Sequence, residues 1–222
     1  RHIMKNAVIV SGGNINTDFA LDFLKKNTDE NTLLIAADRG LEFFEKTGLV
    51  PHIAVGDFDS LSESGRKFLE TLSNTEIIRL RPEKDDSDTQ SAACLAMDRG
   101  MKRIMILGAT GNRVDHLMAN FGLLVLGRER GCEIILADPW NYMKLIESGT
   151  VLKRSEQFGK YVSFFSIGGD VPGLTLKGFK YPLNCHYLTA SDSGLTVSNE
   201  IVAEEAVVEF EKGTLLMLMT RD

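Results

Sequence analysis

From Ala7 to Ala137 the chain alternates short, β-rich apolar runs with stretches of helical periodicity, and this alternation constrains the fold more than any other feature. The runs are Ala7 to Ser11, Leu33 to Ala37, Ile53 to Gly56, Glu76 to Arg79, Ile104 to Leu107 and Glu133 to Ala137. Between them, apolar residues recur at three- and four-residue spacing, as in Phe19, Leu21, Phe23 and Leu24, then Leu41, Phe43 and Phe44, and later Leu117, Phe121, Leu124 and Val125. Ser62 before Glu63 and Ser87 before a helix over Thr89 to Arg99 can accept hydrogen bonds from the free N–H groups of a first turn. Strand and helix in strict alternation predict an α/β domain built on a doubly wound, mainly parallel, six-stranded sheet.

After Asp138-Pro139-Trp140 the pattern changes. Tyr161 to Ile167, Leu174 to Lys177, Gly194 to Val197, Val202 to Val208 and Leu215 to Thr220 are short runs separated by Gly, Pro and Ser-Asp pairs. Turns at such short intervals predict an antiparallel sheet or small β-sandwich. The expected division is 1–139 for the α/β domain and 140–222 for the β domain, with one continuous α+β domain as the alternative.

Charge narrows the partners. A net charge of -6 gives no basic field for nucleic acid or an anionic membrane, so a small-molecule partner is expected. No apolar run approaches the roughly 18 to 20 residues of a membrane span, and no signal-peptide core is present. Cys94, Cys132 and Cys185 are odd in number and lack CxxC spacing, which fits neither a disulfide framework nor a zinc site and suits the cytoplasm. Arg1-His2-Ile3 ahead of Met4 reads as an appended remnant and stays outside the argument.

In open parallel sheets ligands bind beyond the carboxyl ends of the strands. The segments that follow the first five runs are Gly12-Gly13-Asn14, Asp38-Arg39-Gly40, Asp57-Phe58-Asp59-Ser60, Lys84 to Asp88 and Gly108 to His116. Small residues and carboxylates thus collect on one edge. Asp57 and Asp59, two apart, face one side if the extended backbone continues past Gly56, and can share a cation. Oxygen ligands of this kind suit magnesium, and Asp88 is the third candidate. The run Asp85 to Asp88 also fits a solvated first helical turn. Asp38, Asp57, Asp59 and Asp115 at the same edge favour a cation, because gathered carboxylates repel one another.

Gly108 to Gly111 joins a strand to a helix, where glycines let N–H groups approach phosphate oxygens; a simple tight turn is the alternative. Neither GxxxxGK[ST] nor GxGxxG occurs. Arg113 and Lys84 can each pair with phosphate or remain solvated charges. His116 and His52 read as capping or packing residues more readily than as bases.

Together, Ala37-Asp38-Arg39-Gly40, Gly56-Asp57-Phe58-Asp59-Ser60, the acidic run from Lys84 to Asp88 and Gly111 to His116 resemble, in order, the motifs of bacterial thiamine pyrophosphokinases. Gly178 to Leu183 and Ser198-Asn199-Glu200 resemble that family's carboxyl-terminal domain, so the resemblance covers almost the whole chain. It implies an α/β domain followed by a β-sandwich that binds thiamine and dimerises, in a homodimer with its active site between subunits. It implies pyrophosphoryl transfer from ATP, the co-substrate, to the hydroxyl of thiamine, with magnesium on Asp57, Asp59 and Asp88. Asp38, Arg39, Lys84, Ser87, Gly108, Gly111, Asn112 and Arg113 are then expected near the nucleotide, and Asp115 lines the same cleft. A metal-bound carboxylate is a poor base, which leaves Asp115 as the alternative proton acceptor. Tyr181 stands where eukaryotic relatives carry a Trp that stacks on thiamine, and Ser198 and Asn199 become thiamine contacts from the second subunit. A pterin pyrophosphokinase and a non-catalytic nucleotide or thiamine sensor are the rival readings.

Overall fold

A computed structural model describes residues 4–12, 15–83, 87–192 and 194–222. The chain divides into two compact units, Arg1–Pro139 and Trp140–Asp222.

The first unit runs β1 (Asn6–Val10), α1 (Thr17–Asn27), β2 (Thr32–Ala37), a 3-10 turn at Asp38–Gly40, α2 (Leu41–Thr47), β3 (Ile53–Gly56), α3 (Glu63–Thr71), β4 (Glu76–Arg79), α4 (Asp88–Asp98), β5 (Arg103–Leu107), α5 (Val114–Glu129) and β6 (Glu133–Ala137). Its strands lie in the order β4-β3-β2-β1-β5-β6, and every pairing among them is parallel. Ala7, Val8, Ile9 and Val10 of β1 have no exposed surface, as a central strand covered on both faces requires. From β1 the sheet grows outward through β2, β3 and β4. The chain then returns through α4 to β5 on the other flank of β1. The sheet therefore reverses its winding between β1 and β5, which is where such folds open a ligand crevice.

The helix starts follow local chemistry. The Ser62 and Ser87 hydroxyls accept the N–H groups of Gly65 and Gln90, each at 3.1 Å. Asn16 caps α1 in the same manner, accepting the Phe19 N–H at 2.9 Å. Gly48, at φ 74°, ends α2.

The second unit carries β7 (Asn141–Ile146), β8 (Thr150–Lys153), β9 (Tyr161–Ser166), β10 (Val171–Lys177), β11 (Leu183–Leu188), β12 (Glu205–Glu209) and β13 (Leu215–Thr220). Strands β7, β13 and β9 pair antiparallel, and a second antiparallel sheet has the order β11-β10-β12-β8. Side chains from both sets form one core, including Phe164, Leu215 and Met217 from the first and Leu174, Leu176 and Val208 from the second.

The mainly parallel sheet and the separate antiparallel sheet agree with the sequence reading. The count of six strands is not confirmed: nine strands are assigned to the larger sheet. Nor is Gly194 to Val197 a strand. Leu195 and Val197 are 48% and 42% exposed, while the Thr196 hydroxyl bonds the Phe164 carbonyl, so this apolar run is a loop pinned at one residue. Strands β7, β8 and β11 carry mixed polar sequences that periodicity does not flag.

Among the described residues no helix is long and apolar enough to cross a membrane. Among the described residues no disulfide joins the cysteines.

Candidate active site

A cleft of about 510 Å³ opens at the carboxyl edge of the parallel sheet, lined by residues that follow β1, β2 and β5 and by the start of α4. Its volume is within the range of small-molecule sites. Two glycines make the packing around it possible. A Cβ on Gly40 would fall 1.9 Å from the Val10 carbonyl oxygen, so only glycine lets the turn after β2 press onto the end of β1. Gly108 has φ 77°, and a Cβ there would come within 2.7 Å of the Ser11 carbonyl oxygen. Ser11 continues the β1–β5 ladder, donating its N–H to the Leu107 carbonyl at 2.8 Å. Its hydroxyl meets that of Thr89 at 2.5 Å, tying the first turn of α4 to the sheet.

One carboxylate oxygen from each of Asp38, Asp57 and Asp88 lies within 4.8 Å of the others. They come from three separate crossovers, after β2, after β3 and at the start of α4. Asp38 Oδ1 accepts the Phe58 N–H at 3.1 Å and Oδ2 accepts the Ser60 hydroxyl at 2.5 Å. Burial pushes the Asp38 carboxyl above its ordinary range. Its hydrogen bond from Ser60 opposes that rise, and the charges of Asp88 and Asp57 reinforce it. An all-oxygen set of crowded, half-buried carboxylates suits a hard cation such as magnesium.

Asp59 stands apart from this group. The extended backbone that would align it with Asp57 breaks at Phe58, whose φ is 63°. The Asp59 N–H instead donates to Asp57 Oδ1 at 3.0 Å, and the side chain is exposed. Among the described residues the carboxylate that joins Asp57 and Asp88 within 4.8 Å is Asp38, where alternation had pointed to Asp59.

Ser87, Gly108, Gly111, Asn112 and Arg113 line the cleft. Arg39 ion-pairs with Glu42 at 3.5 Å and is 54% exposed. Asp115 is held by Arg113 through nitrogen–oxygen contacts of 3.1 and 2.6 Å, and this hydrogen bonding lowers its pKa below the usual carboxylate range. Lys84 lies outside the described residues. The sequence reading passed over Ser11, Thr89 and Asn120 and took His116 as a capping or packing residue; all four line the cleft. Asn120, buried in α5, donates to the Ala109 carbonyl at 2.8 Å and so braces the Gly108–Ala109 turn. Its sequence signal is an amide among the apolar residues of α5.

In the second unit Tyr181 is 55% exposed. Ser198 is exposed, with φ 59° and its N–H on the Ser163 hydroxyl at 2.9 Å. Asn199 is different: it is only 2% exposed, and its amide is engaged with backbone groups of Tyr181 and Glu200.

Two family models match the chain: thiamin pyrophosphokinase, catalytic domain, over residues 24–136, and thiamin pyrophosphokinase, vitamin B1 binding domain, over residues 149–215. A curated relative, the thiamine pyrophosphokinase of Bacillus subtilis (strain 168), is 35% identical over 220 residues, covering 99% of this chain and all of the relative. The crystal structure of thiamine pyrophosphokinase from Bacillus subtilis superposes with a TM-score of 0.87 at 33% identity, over 98% of this chain and 100% of that one. That of Geobacillus thermodenitrificans gives 0.84 at 29% identity, over 98% of each. With both halves matched and the carboxylate-lined sheet edge in place, the chain belongs to the thiamine pyrophosphokinase family.

Proposed function

We propose that this chain transfers a pyrophosphoryl group from ATP to the hydroxyl of thiamine, giving thiamine diphosphate and AMP. The observation that carries the reading is the convergence of Asp38, Asp57 and Asp88 within 4.8 Å, beside a glycine-containing turn that opens on a helix start. The three carboxylates would hold magnesium, and the bound ion would neutralise triphosphate charge so that a neutral hydroxyl can approach.

In the transfer, the thiamine oxygen bonds to the β-phosphorus as the bond from that phosphorus to the α,β-bridging oxygen breaks. AMP departs with that oxygen. The hydroxyl proton passes to water; Asp115, lowered by Arg113, is a weak acceptor. The chain's own contribution is positioning. Gly108, Ala109, Gly111 and Asn112 line the cleft with the start of α5, and backbone N–H groups at such a turn suit phosphate oxygens; Ser87 and Thr89 line it too and carry hydroxyls.

We assign catalysis to residues 1–139 and thiamine binding and dimerisation to residues 140–222. Tyr181 and Ser198 would reach the cleft from a second copy in a homodimer working in the cytoplasm. The match to a vitamin B1 binding domain supports thiamine over a pterin as acceptor.

The test is AMP release from ATP and magnesium, with and without thiamine, for the protein and for Asp57→Asn. Thiamine-dependent AMP, lost in the variant, supports the reading. Binding without AMP formation returns it to a sensor. Sedimentation of the intact protein checks the dimer.

A further inference from the structure

Asn199 is too deeply buried to meet a ligand, yet its side chain makes three hydrogen bonds, two of them to a single exposed aromatic residue. Its Nδ2 donates to the Tyr181 carbonyl at 2.9 Å, and its Oδ1 accepts the Tyr181 N–H at 3.0 Å and the Glu200 N–H at 2.9 Å. The carboxamide therefore grips both polar backbone groups of Tyr181, as a neighbouring strand would. Asn199 is itself fixed: its N–H and carbonyl exchange hydrogen bonds with Val162 at 2.9 and 2.8 Å. The grip thus runs from the β9 ladder through one buried amide to Tyr181. A second bond in the same place, from the Lys180 N–H to the Glu200 carbonyl at 2.8 Å, ties the two segments, which run antiparallel at the Phe179–Ile201 bridge. The Tyr181 ring remains 55% exposed.

Fixing a backbone this firmly beneath a surface aromatic removes conformational freedom before a ligand arrives, and preorganisation of that kind raises affinity. We propose that Asn199 is a positioning residue: it sets the Tyr181 ring for thiamine and acts through Tyr181 without touching substrate. The inference rests on the proposed role of Tyr181 as a thiamine contact.

The test is a double-mutant cycle in the full-length protein, reading kcat and the KM values for thiamine and ATP separately, together with hydrogen exchange of the peptide containing Tyr181. For Asn199→Ala we expect thiamine KM to rise about tenfold, the size of one aromatic contact. ATP KM should stay within about twofold and exchange at Tyr181 should accelerate. In the Tyr181→Ala background the same substitution should add less than about twofold. Asn199→Ser, which keeps a small hydroxyl but cannot bridge both backbone groups of Tyr181, should give the same pattern at smaller amplitude and serves if the alanine variant does not fold. An undiminished effect of Asn199 substitution in the Tyr181→Ala background overturns the inference. So does an unchanged thiamine KM when Tyr181→Ala alone raises it. If Tyr181→Ala leaves thiamine KM unchanged, the Tyr181 contact itself is wrong and the inference falls with it.

Discussion

The Asp38 carboxylate accepts the Phe58 N–H at 3.1 Å, and both residues hold positive φ, 47° and 63°. Non-glycine residues in that region carry strain of order 1 kcal/mol or more, retained where the surroundings require it. Here the two bends turn Asp38 and Asp57 toward each other. Asp38→Asn keeps an acceptor for the Phe58 N–H and removes a charge from a crowded carboxylate group. The raised pKa of Asp38 means that its ionised form opposes folding when no cation is bound. Melting in a chelator should therefore be unchanged or higher for Asp38→Asn, while the magnesium needed for half-maximal rate rises about tenfold or more. Parallel melts and magnesium titrations check this.

Asp57 and Asp59 should separate in a rate assay. Asp57→Asn should lower kcat by about a hundredfold or more, on the scale of losing one preorganised electrostatic group. Asp59→Asn, whose side chain is exposed and outside the cluster, should cost less than about tenfold at saturating magnesium. Equal losses would put the carboxylate pair back at Asp57 and Asp59.

Glu42 gives the clearest pH signature outside the cluster. Its carboxylate accepts the Ser62 N–H at 3.0 Å, and that bond, with Arg39 nearby, lowers its pKa against a smaller rise from burial. A lowered folded-state value contributes stability that is complete above the unfolded pKa and is lost as pH falls through the folded one. Glu42→Gln should lower Tm near neutrality by at most about 2 to 4 °C, the equivalent of roughly 1 kcal/mol at this size. The difference from the parent should vanish well below about pH 4. Melting curves from pH 3 to 8 would show it.

Phe164 is fully buried in the core of the second unit and meets Phe179 edge-on at 5.8 Å. Phe164→Ala should destabilise that unit by about 3 to 5 kcal/mol, visible as a shifted denaturation midpoint. Gly108→Ala should weaken ATP binding, because its Cβ collides with the Ser11 carbonyl and φ 77° disfavours it. ATP KM measured against an unchanged thiamine KM would separate this from general damage.

The parallel half of the fold was legible because each buried strand is a continuous apolar run and α1, α3 and α4 open on capping side chains. β3, β4, β6 and β13 fall at the predicted limits. The second unit was less legible: β7, with Asn141 and Lys144, and β11, with Asn184 and His186, mix polar and apolar residues without a clean alternation. The site was legible as an edge, since every segment that follows a parallel strand carries its small or acidic residues. Which carboxylates meet there was not, because the outcome turns on the backbone at Asp38 and Phe58, and no composition rule marks a phenylalanine for left-handed geometry. Asn199 shows the same limit. A polar residue beside a matching motif looks like a ligand contact, and only burial reveals that it serves its neighbours.

Asp38, Asp57 and Asp88 sit on three different crossovers of the sheet. A cation shared among them would act as a rivet through chain segments that are distant in sequence, as well as a helper of catalysis. Ion concentration would then tune how tightly this edge holds together, by about 2.7 kcal/mol at a hundred times the dissociation constant. Depletion of the metal would silence the enzyme and loosen it for proteases by one and the same event.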